Sequence, residues 1–591
     1  LGTNVLVYYH NLKFDGTFIV SWLLENGYEQ GYSTLSFENE IRAYKWEKKM
    51  RNNQFQYMIS DKGMWYLIRI KKYNKVIEIR DSLKLLPFSV KEIGQAFKTK
   101  HQKLEMEYKG LRYAGCPITD EEKKYIANDV LVVKEALEIM FSQGNTRLTI
   151  GSNCLEEFKS GFTKDYYNEL FPDVYEVKLP FGYDYATAGD YVLKSYKGGW
   201  CYLVEGKENK VYRNGITADV NSLYPSMMHS ESGNEYPVGY PTFWKGNYIP
   251  DQALEDHRYF FVRIKTRFKI KEGKLPFIQI KGNWLYEPNE CLKTSDIHDI
   301  LTDEYYEYYE DKDGNIVESY VILTLTQTDY YLFLEHYDTI GLEILDGCFF
   351  YAMSGLFDKY IDKYKKIKME SKGALRALAK LMLNNLYGKL ASTKNSSFKV
   401  CYLKENGSIG FIDQVEEDKT PGYIPIGSAI TSYARNFTIR AAQKNYHGVN
   451  ERGFIYADTD SIHCDLEPEE LVGVPVHPTD FCHWKLESSW DKALFVRQKT
   501  YVEHIVKKDL EDCAPEYSLK CAGMPEKCKE LFIDSMTGRF RDVKYSIDDL
   551  NFLVKDHDIT DFKRGLIVPG KLMPKRIKGG TLLVETNYEM R

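Results

Sequence analysis

No run of about 18 apolar residues occurs in this sequence, so no membrane-spanning helix is expected. The opening residues, LGTNVLVYYHNLKFDG, lack the basic stretch, apolar core and small-residue cleavage site of a secretory signal. They start inside a strand-like run without an initiator Met, from which we expect further residues upstream. The 11 Cys are odd in number, scattered and free of any CxxC pair, which argues against a disulfide framework and for a reducing cytosol. His463-Cys464 and Cys482-His483 form a conceivable zinc constellation. Zinc sites usually draw closer ligand pairs, so buried strand cysteines are the preferred reading. With 41 Gly and 19 Pro in 591 residues the chain is not collagen-like, and 43% hydrophobic residues exclude chain-wide disorder. No GxxxxGK[ST] phosphate loop is present, which excludes an ATP-driven motor of that type. The net charge of −6 excludes a uniformly basic nucleic-acid binder but leaves room for a local basic track.

What is there is length and aromatic mass. At roughly 150 residues per domain the chain accommodates three or four domains. The 47 Tyr, 30 Phe and 8 Trp either fill cores or offer rings on which bases stack. Residues 1–150 alternate strand-like runs (NVLVYY, WYLIRI, KVIEIR) with helix-like ones (FIVSWLLENG, DVLVVKEALEIMFSQG). Residues 151–200 read as a helical connector, and the strand GITADV opens a second unit at 215. Residues 231–355 read as turns and short strands around Pro237, Pro241, Pro250, Pro276 and DKDGN. Residues 356–392 are helical, 393–424 form a hairpin with its turn at ENGS, and 425–505 are strands plus one helix.

Three segments carry chemistry. In DVNSLYP, Asp219 closes a β run before the chain turns. In YADTDS, Asp458 and Asp460 sit at the turn of a tight hairpin. Carboxylates gathered at adjacent strand ends repel unless a cation lies between them, and two Mg²⁺ ions about 3.5–4 Å apart suit phosphoryl transfer. Either motif alone is equally an Asx turn. ALRALAKLMLNNLYGKLAS has helical periodicity that gathers Arg376, Lys380, Asn384 and Tyr387 in one sector, with Ala374, Leu378, Leu381 and Met382 opposite. Cations suit a triphosphate and a ring suits a base, although a solvated amphipathic face has the same look. Gly388 costs helix stability, which favours close approach by another group. The preceding helix YIDKYKKIK places Lys368 near the tip of a helical hairpin.

DVNSLYP, KLMLNNLYG and YADTDS resemble, in order and form, motifs A, B and C of family B DNA polymerases, and in particular the protein-primed branch of small Bacillus phages. HNLKFDG, YIAND, YKGG, TSYAR, RQKTY, KCAGM, PFIQIK and YLKENG extend the resemblance over nearly the whole chain. It implies an α+β multidomain fold: a 3′–5′ exonuclease-like, RNase H-like domain lacking its first strand (1–157), a right-hand polymerase and two insertions. The palm would span 158–230 and 425–521, the first insertion 231–356, the fingers 357–392, the second insertion 393–424 and the thumb 522–591.

The resemblance further implies roles. Asp219, Asp460 and the Val220 carbonyl would bind two Mg²⁺ ions (Mn²⁺ substituting), with Asp458 in support. Tyr224, with Leu223 beside it, would exclude a ribose 2′-hydroxyl. Lys368 and Lys380 would hold the triphosphate, and Asn384, Tyr387 and Gly388 the nascent pair. Lys499 and Tyr501 would grip the primer. Tyr196, Gly198 and Gly199 would guide template between synthesis and editing, Thr431, Ala434 and Arg435 would hold it, and Ser222 would help accept a priming protein. For editing, Asp15 and Asp129 would be metal ligands and Tyr125 would orient water. Asn11, Phe14, Ser82, Leu83 and Lys103 would contact single-stranded DNA. The DxE pair of such domains would precede residue 1. The expected enzyme is a monomeric, cytoplasmic, processive, strand-displacing DNA polymerase acting on primer-template DNA and deoxynucleoside triphosphates with a terminal priming protein. The alternatives are another palm polymerase that uses or makes RNA, and an inactive nucleic-acid binder. SLYP and the three carboxylates argue against them.

Overall fold

The alternating runs of the first 150 residues form strands Val5–Tyr9, Gln54–Ile59, Trp65–Lys72 and Lys75–Asp81, which with Glu29–Gln30 make one mixed sheet. A computed structural model describes residues 3–591 apart from 38–39, 105, 107–115, 181, 183, 279–296, 300–303, 307, 311–313, 315, 319, 395, 417–419, 542 and 544. Most of DKDGN and the second half of PFIQIK lie outside the described residues. The chain divides into two units, one of residues 1–167, 359–422 and 574–584, the other of the remainder.

In the first unit Val5–Tyr9 pairs in parallel with Lys75–Asp81. Helix Leu12–Glu25 buries Leu12, Val20 and Leu23 against Phe55, Tyr57, Trp65 and Ile68 of the sheet. Thr119 starts helix Asp120–Ser142 with a capping box shared with Glu122. The helical hairpin is present as Asp358–Glu370 and Ala374–Leu390, reversed at Gly373, whose φ of 61° and ψ of −131° suit glycine alone. It docks on helix Ile150–Lys159 through Cys154 and Met382, and the Tyr360 hydroxyl donates to the Met382 carbonyl at 2.8 Å.

The hairpin of residues 393–424 is present as strands Ser396–Leu403 and Ile409–Glu416. Its apolar face is built into the core of the first unit, with Cys401 and Ile409 buried among Leu12, Phe55 and Trp65. The Cys401 amide donates to the Tyr57 hydroxyl at 2.7 Å, and Gln30 Nε2 donates to the Cys401 carbonyl at 2.9 Å. Its ENGS turn meets residues 574–584, the tip of the last hairpin in the chain. The Arg576 guanidinium lies 4.6 Å from the Phe411 ring centre, and a Cβ on Gly407 would stand 3.0 Å from the Lys578 side chain. The same tip seats Gly580 on the Phe18 ring, and Thr581 Oγ1 lies 3.1 Å from Thr17 Oγ1.

The second unit is organised by an antiparallel sheet in the order Glu511–Cys521, Thr500–Lys508, Trp484–Arg497, Gly215–Val220, Ser461–Cys464, Phe454–Asp458, Cys201–Leu203. Helix Ile424–Lys444 and Trp200, Phe454, Trp484 and Ala218 fill one face. Residues 231–356 carry the expected short strands, such as Ile297–Asp299 and Glu304–Tyr306, but also long ones, notably Arg258–Ile270 and Tyr337–Met353, which alternating aromatic and β-branched residues sustain. Phe260, Val262, Phe268 and Phe333 of this segment continue the core that holds Trp200 and Ala218, so the segment shares a core with the large antiparallel sheet. Leu531, Phe532, Phe552 and Phe562 of the tail pack on Leu494, Val502 and Leu519 of that sheet.

Candidate active site

Asp219 ends strand Gly215–Val220 directly opposite Ser461, and Asp458 faces the same Ser461 across the neighbouring hairpin. The turn is two residues long: Thr459 takes a left-handed φ of 63°, and the Asp460 amide donates to the Asp458 carbonyl at 2.7 Å. The Val220 amide donates to the Asp460 carbonyl at 2.7 Å, which locks the two strand ends backbone to backbone. Burial pushes the Asp460 carboxyl above the usual carboxylate range, and the nearby Asp458 and Glu487 charges add to that. A cation relieves this.

These carboxylates line a cleft of about 960 Å³ with Glu487, Lys485, Lys508, Glu516, Lys520 and Lys529. Lys499, at a left-handed φ of 58°, donates from Nζ to Asp458 Oδ1 at 2.8 Å, and its amide donates to the Tyr456 hydroxyl at 2.8 Å. Burial acts to lower the Lys499 ammonium, but the Asp458 contact outweighs it and the net shift is upward. Ser222 has a left-handed φ of 52° at the start of helix Leu223–Met228, and Tyr224 is half-buried against the core.

On helix Ala374–Leu390 the expected faces are present. Leu378, Leu381 and Met382 are buried, Arg376, Lys380 and Asn384 are exposed, and Tyr387 is intermediate. A Cβ on Gly388 would meet nothing, so space is left open there for another molecule. Lys368 is pushed below the ordinary lysine value, first by burial and then by Lys380 and Arg376. Three mutually repelling cations favour a polyanion.

In the editing region Asp15 lies in the first turn of Leu12–Glu25, its carboxyl raised by burial and, more weakly, by the Asp81 charge. Lys103 Nζ donates to Asp129 Oδ2 and to the Tyr125 hydroxyl, each at 2.7 Å. Asp129 Oδ1 is buried without a hydrogen-bond partner. Asn11 takes φ 68°, and its amide donates to Asp81 Oδ1 at 3.0 Å.

The family model for DNA polymerase type B, organellar and viral, matches residues 2–115 and 114–471. The chain belongs to that family. The DNA polymerase of Bacillus phage Nf is 36% identical to it over 603 residues, covering 99% of this chain and 91% of that protein. The polymerase of Streptococcus phage Cp-1 is 31% identical over 593 residues, covering 99% and 87%. A structure of phi29 DNA polymerase complexed with primer-template DNA and incoming nucleotide substrates matches with a TM-score of 0.78 and 35% identity, over 100% of this chain and 92% of that one. The protein is a DNA polymerase, with the mixed α/β fold of exonuclease and polymerase domains.

Several expected contacts of this polymerase need correction. Thr431, Ala434 and Arg435 are buried, so none reaches template directly. The Thr431 hydroxyl is spent on the Ser428 carbonyl, and Arg435 donates to the Lys197 and Gly198 carbonyls and pairs with Asp329. Arg435 therefore shapes the Tyr196–Gly199 loop from behind. Gly199 of that loop rests on the Asp458–Asp460 turn, where a Cβ would stand 2.5 Å from Thr459 Oγ1, whereas Gly198 faces open space. The Leu223 side chain belongs to the core, 2% exposed, so it offers a nucleotide no side-chain surface. Ser82 is buried, its hydroxyl donating to the Tyr9 carbonyl at 2.9 Å, which leaves the partly exposed Leu83 as the outward member of that pair. Tyr501 lines the cleft but is 8% exposed and stacks on Phe495. The zinc constellation dissolves: Cys464 is buried, Cys482 Sγ approaches the Ser226 carbonyl, and His463 pairs with Glu503. Glu487 was missed by sequence reasoning. The alternation of Lys485 and Glu487 with Leu486 and Ser488 was the available signal.

Proposed function

We propose that this polymerase extends a DNA primer on a template by in-line attack of the primer 3′-oxygen on the α-phosphorus of a deoxynucleoside triphosphate, with pyrophosphate leaving. Asp219, Asp460 and the Val220 carbonyl are assigned to two Mg²⁺ ions, which Mn²⁺ can replace. The observation that carries the assignment is the pairing of these two strand ends with a partly buried Asp460 carboxyl that desolvation and its acidic neighbours destabilise as an anion. Hard oxygen donors suit Mg²⁺, which takes one or two carboxylates and completes its shell with water and substrate phosphates. A pre-formed cage of three ligands is not required, and none occurs among the described residues. When bound, the ions neutralise charge at the transferring phosphorus and the leaving pyrophosphate.

The chain's own groups do the rest. Lys368, Arg376 and Lys380 bind the triphosphate. Tyr224 excludes a 2′-hydroxyl, and Asp458 steers Lys499 toward the primer. Arg435 and Gly199 hold the template loop against the catalytic turn. Asp15, Asp129, Tyr125 and Lys103 form an editing region, where the orphaned Asp129 Oδ1 favours a cation. The complexes of phi29 polymerase with primer-template DNA, nucleotides and single-stranded DNA support these substrates. The resemblance to the protein-primed branch supports a terminal protein as partner, met by Ser222 and residues 231–356, and a monomeric enzyme. The contact of the 404–408 turn with the tip of the last hairpin supports strand displacement by threading, because it joins two elements around which single-stranded template can be confined.

Primer extension with Mg²⁺ by Asp219→Ala and Asp460→Ala, beside a thermal melt, tests the assignment. Loss of extension in folded protein is expected, and near-normal extension by either variant overturns it.

A further inference from the structure

Beneath the catalytic carboxylates the cleft floor holds one more buried acid. Glu503, on strand Thr500–Lys508, is 3% exposed. Its Oε1 accepts from the Thr217 hydroxyl at 2.9 Å and from His463 Nδ1 at 2.7 Å. Thr217 and His463 face each other directly in register and are 4% and 1% exposed. The three side chains come from three different strands, one ending beside Asp219 and one beginning directly after Asp460. Thr217 stands one pleat repeat, about 6.8 Å, before Asp219. His463 follows Asp460 on the returning strand, and Glu503 follows Tyr501 by one repeat.

Two more contacts extend the knot. The Trp490 indole N–H donates to Thr217 Oγ1 at 3.3 Å, and His463 Nε2 lies 3.3 Å from Ser461 Oγ, between Asp460 and His463 in the chain. The His463 ring also packs on Tyr501 and Tyr456, with centroids 5.0 and 5.2 Å apart. Lys485 and Lys508, two of the basic groups that line the cleft, pair with Asp509 and Glu516. A buried polar knot is a poor source of stability, since apolar side chains of similar volume commonly serve as well or better. A geometric role accounts for it: a single oxygen accepting from two donors fixes their separation more tightly than apolar packing does.

We infer that Glu503, His463 and Thr217 form a positioning set that holds the strand ends bearing Asp219 and Asp460 at the separation the metal-nucleotide complex requires. None of the three touches substrate. Their effect falls on the affinity for Mg²⁺ rather than on the grip on DNA. The inference rests on the proposed two-metal reading of those aspartates, and the experiment separates the two.

Single-nucleotide addition on a primed template is measured in the full chain across a Mg²⁺ titration, with DNA affinity and a thermal melt for each variant. Glu503→Ala should raise the half-saturating Mg²⁺ concentration about tenfold, in the range found when outer-sphere partners of a metal site are lost. Its DNA affinity should stay within about twofold of the parent. Glu503→Gln keeps an oxygen for both donors and should recover most of the loss. Thr217→Val removes one donor at nearly constant volume and should fall between. An unchanged Mg²⁺ requirement in Glu503→Ala overturns the inference, as does a Glu503→Gln variant as impaired as Glu503→Ala. Should Glu503→Ala fail to fold, an unchanged Mg²⁺ requirement in Thr217→Val is decisive against it. Asp460→Ala is run alongside: activity there refutes the two-metal reading itself, whereas an inactive Asp460→Ala with a normal Glu503→Ala refutes only the positioning set.

Discussion

The synthesis and editing regions both rely on aspartates but hold them differently. Asp219 and Asp460 sit on paired strands whose backbones are bonded to each other, so their relation is set by register. Asp15 and Asp129 sit on separate helices, and Asp129 is already satisfied on one oxygen by Lys103. Asp460 bears the charges of Asp458 and Glu487, whereas Asp129 has a lysine partner. The first arrangement stores a demand for cations in the fold, and the second answers part of that demand with lysine.

The largest expected effect that tests this contrast is on synthesis. Asp219→Ala and Asp460→Ala should each lower the extension rate by at least about 10³-fold, the scale of losing transition-state charge stabilisation. Quantitative extension assays check it. Next, Tyr224→Val should shift the preference for deoxy- over ribonucleotides by about 10²-fold, read from single-turnover incorporation of each. Unchanged selectivity would place the sugar gate elsewhere. Arg576→Ala, which removes the cation over Phe411, should shorten products through a downstream duplex about fivefold, while extension on an open template is unaffected, because losing one such contact weakens the junction by only about 1 kcal/mol. Equal product lengths on both templates would remove the junction from strand displacement.

The smallest effects are the most diagnostic, because they differ in sign. Asp460 is raised when folded, so folding favours its protonated form, and stability is lost as pH rises above the ordinary carboxylate value. Near neutral pH Asp460→Asn should therefore melt higher than the parent protein, and the gain should vanish below about pH 4, where both states are protonated. Asp129→Asn removes the partner of Lys103 and should melt lower, by about 0.5–1 kcal/mol. Shifts of the same sign in both variants would break the contrast.

Much of this was legible in the sequence. The turn of YADTDS, the strand ending at Asp219 and the cationic face of Ala374–Leu390 follow from local periodicity and turn chemistry, which act over a few residues. Arg435, Thr431, Leu223 and Ser82 were misjudged because burial is a property of tertiary packing. A polar side chain satisfied by distant carbonyls, as Arg435 is by Lys197 and Gly198, carries no local mark of it. Glu503 escaped for the same reason, since its partners lie 286 and 40 residues away. The length of strands Arg258–Ile270 and Tyr337–Met353 was obscured by the prolines around them, which here fall at strand edges and turns.

The seating of residues 396–416 on the first sheet has a practical corollary. Phe398, Val400 and Cys401 anchor one strand of that hairpin, and Ile409 anchors the other. Neither strand depends on the Lys404–Ser408 link to stay in place. A protease that nicks this link should leave a particle that elutes as one species and separates only on a denaturing gel. By the same logic, two polypeptides ending and beginning near Asn406 should reassemble when co-expressed, giving a split enzyme whose activity reports on whether its halves have met.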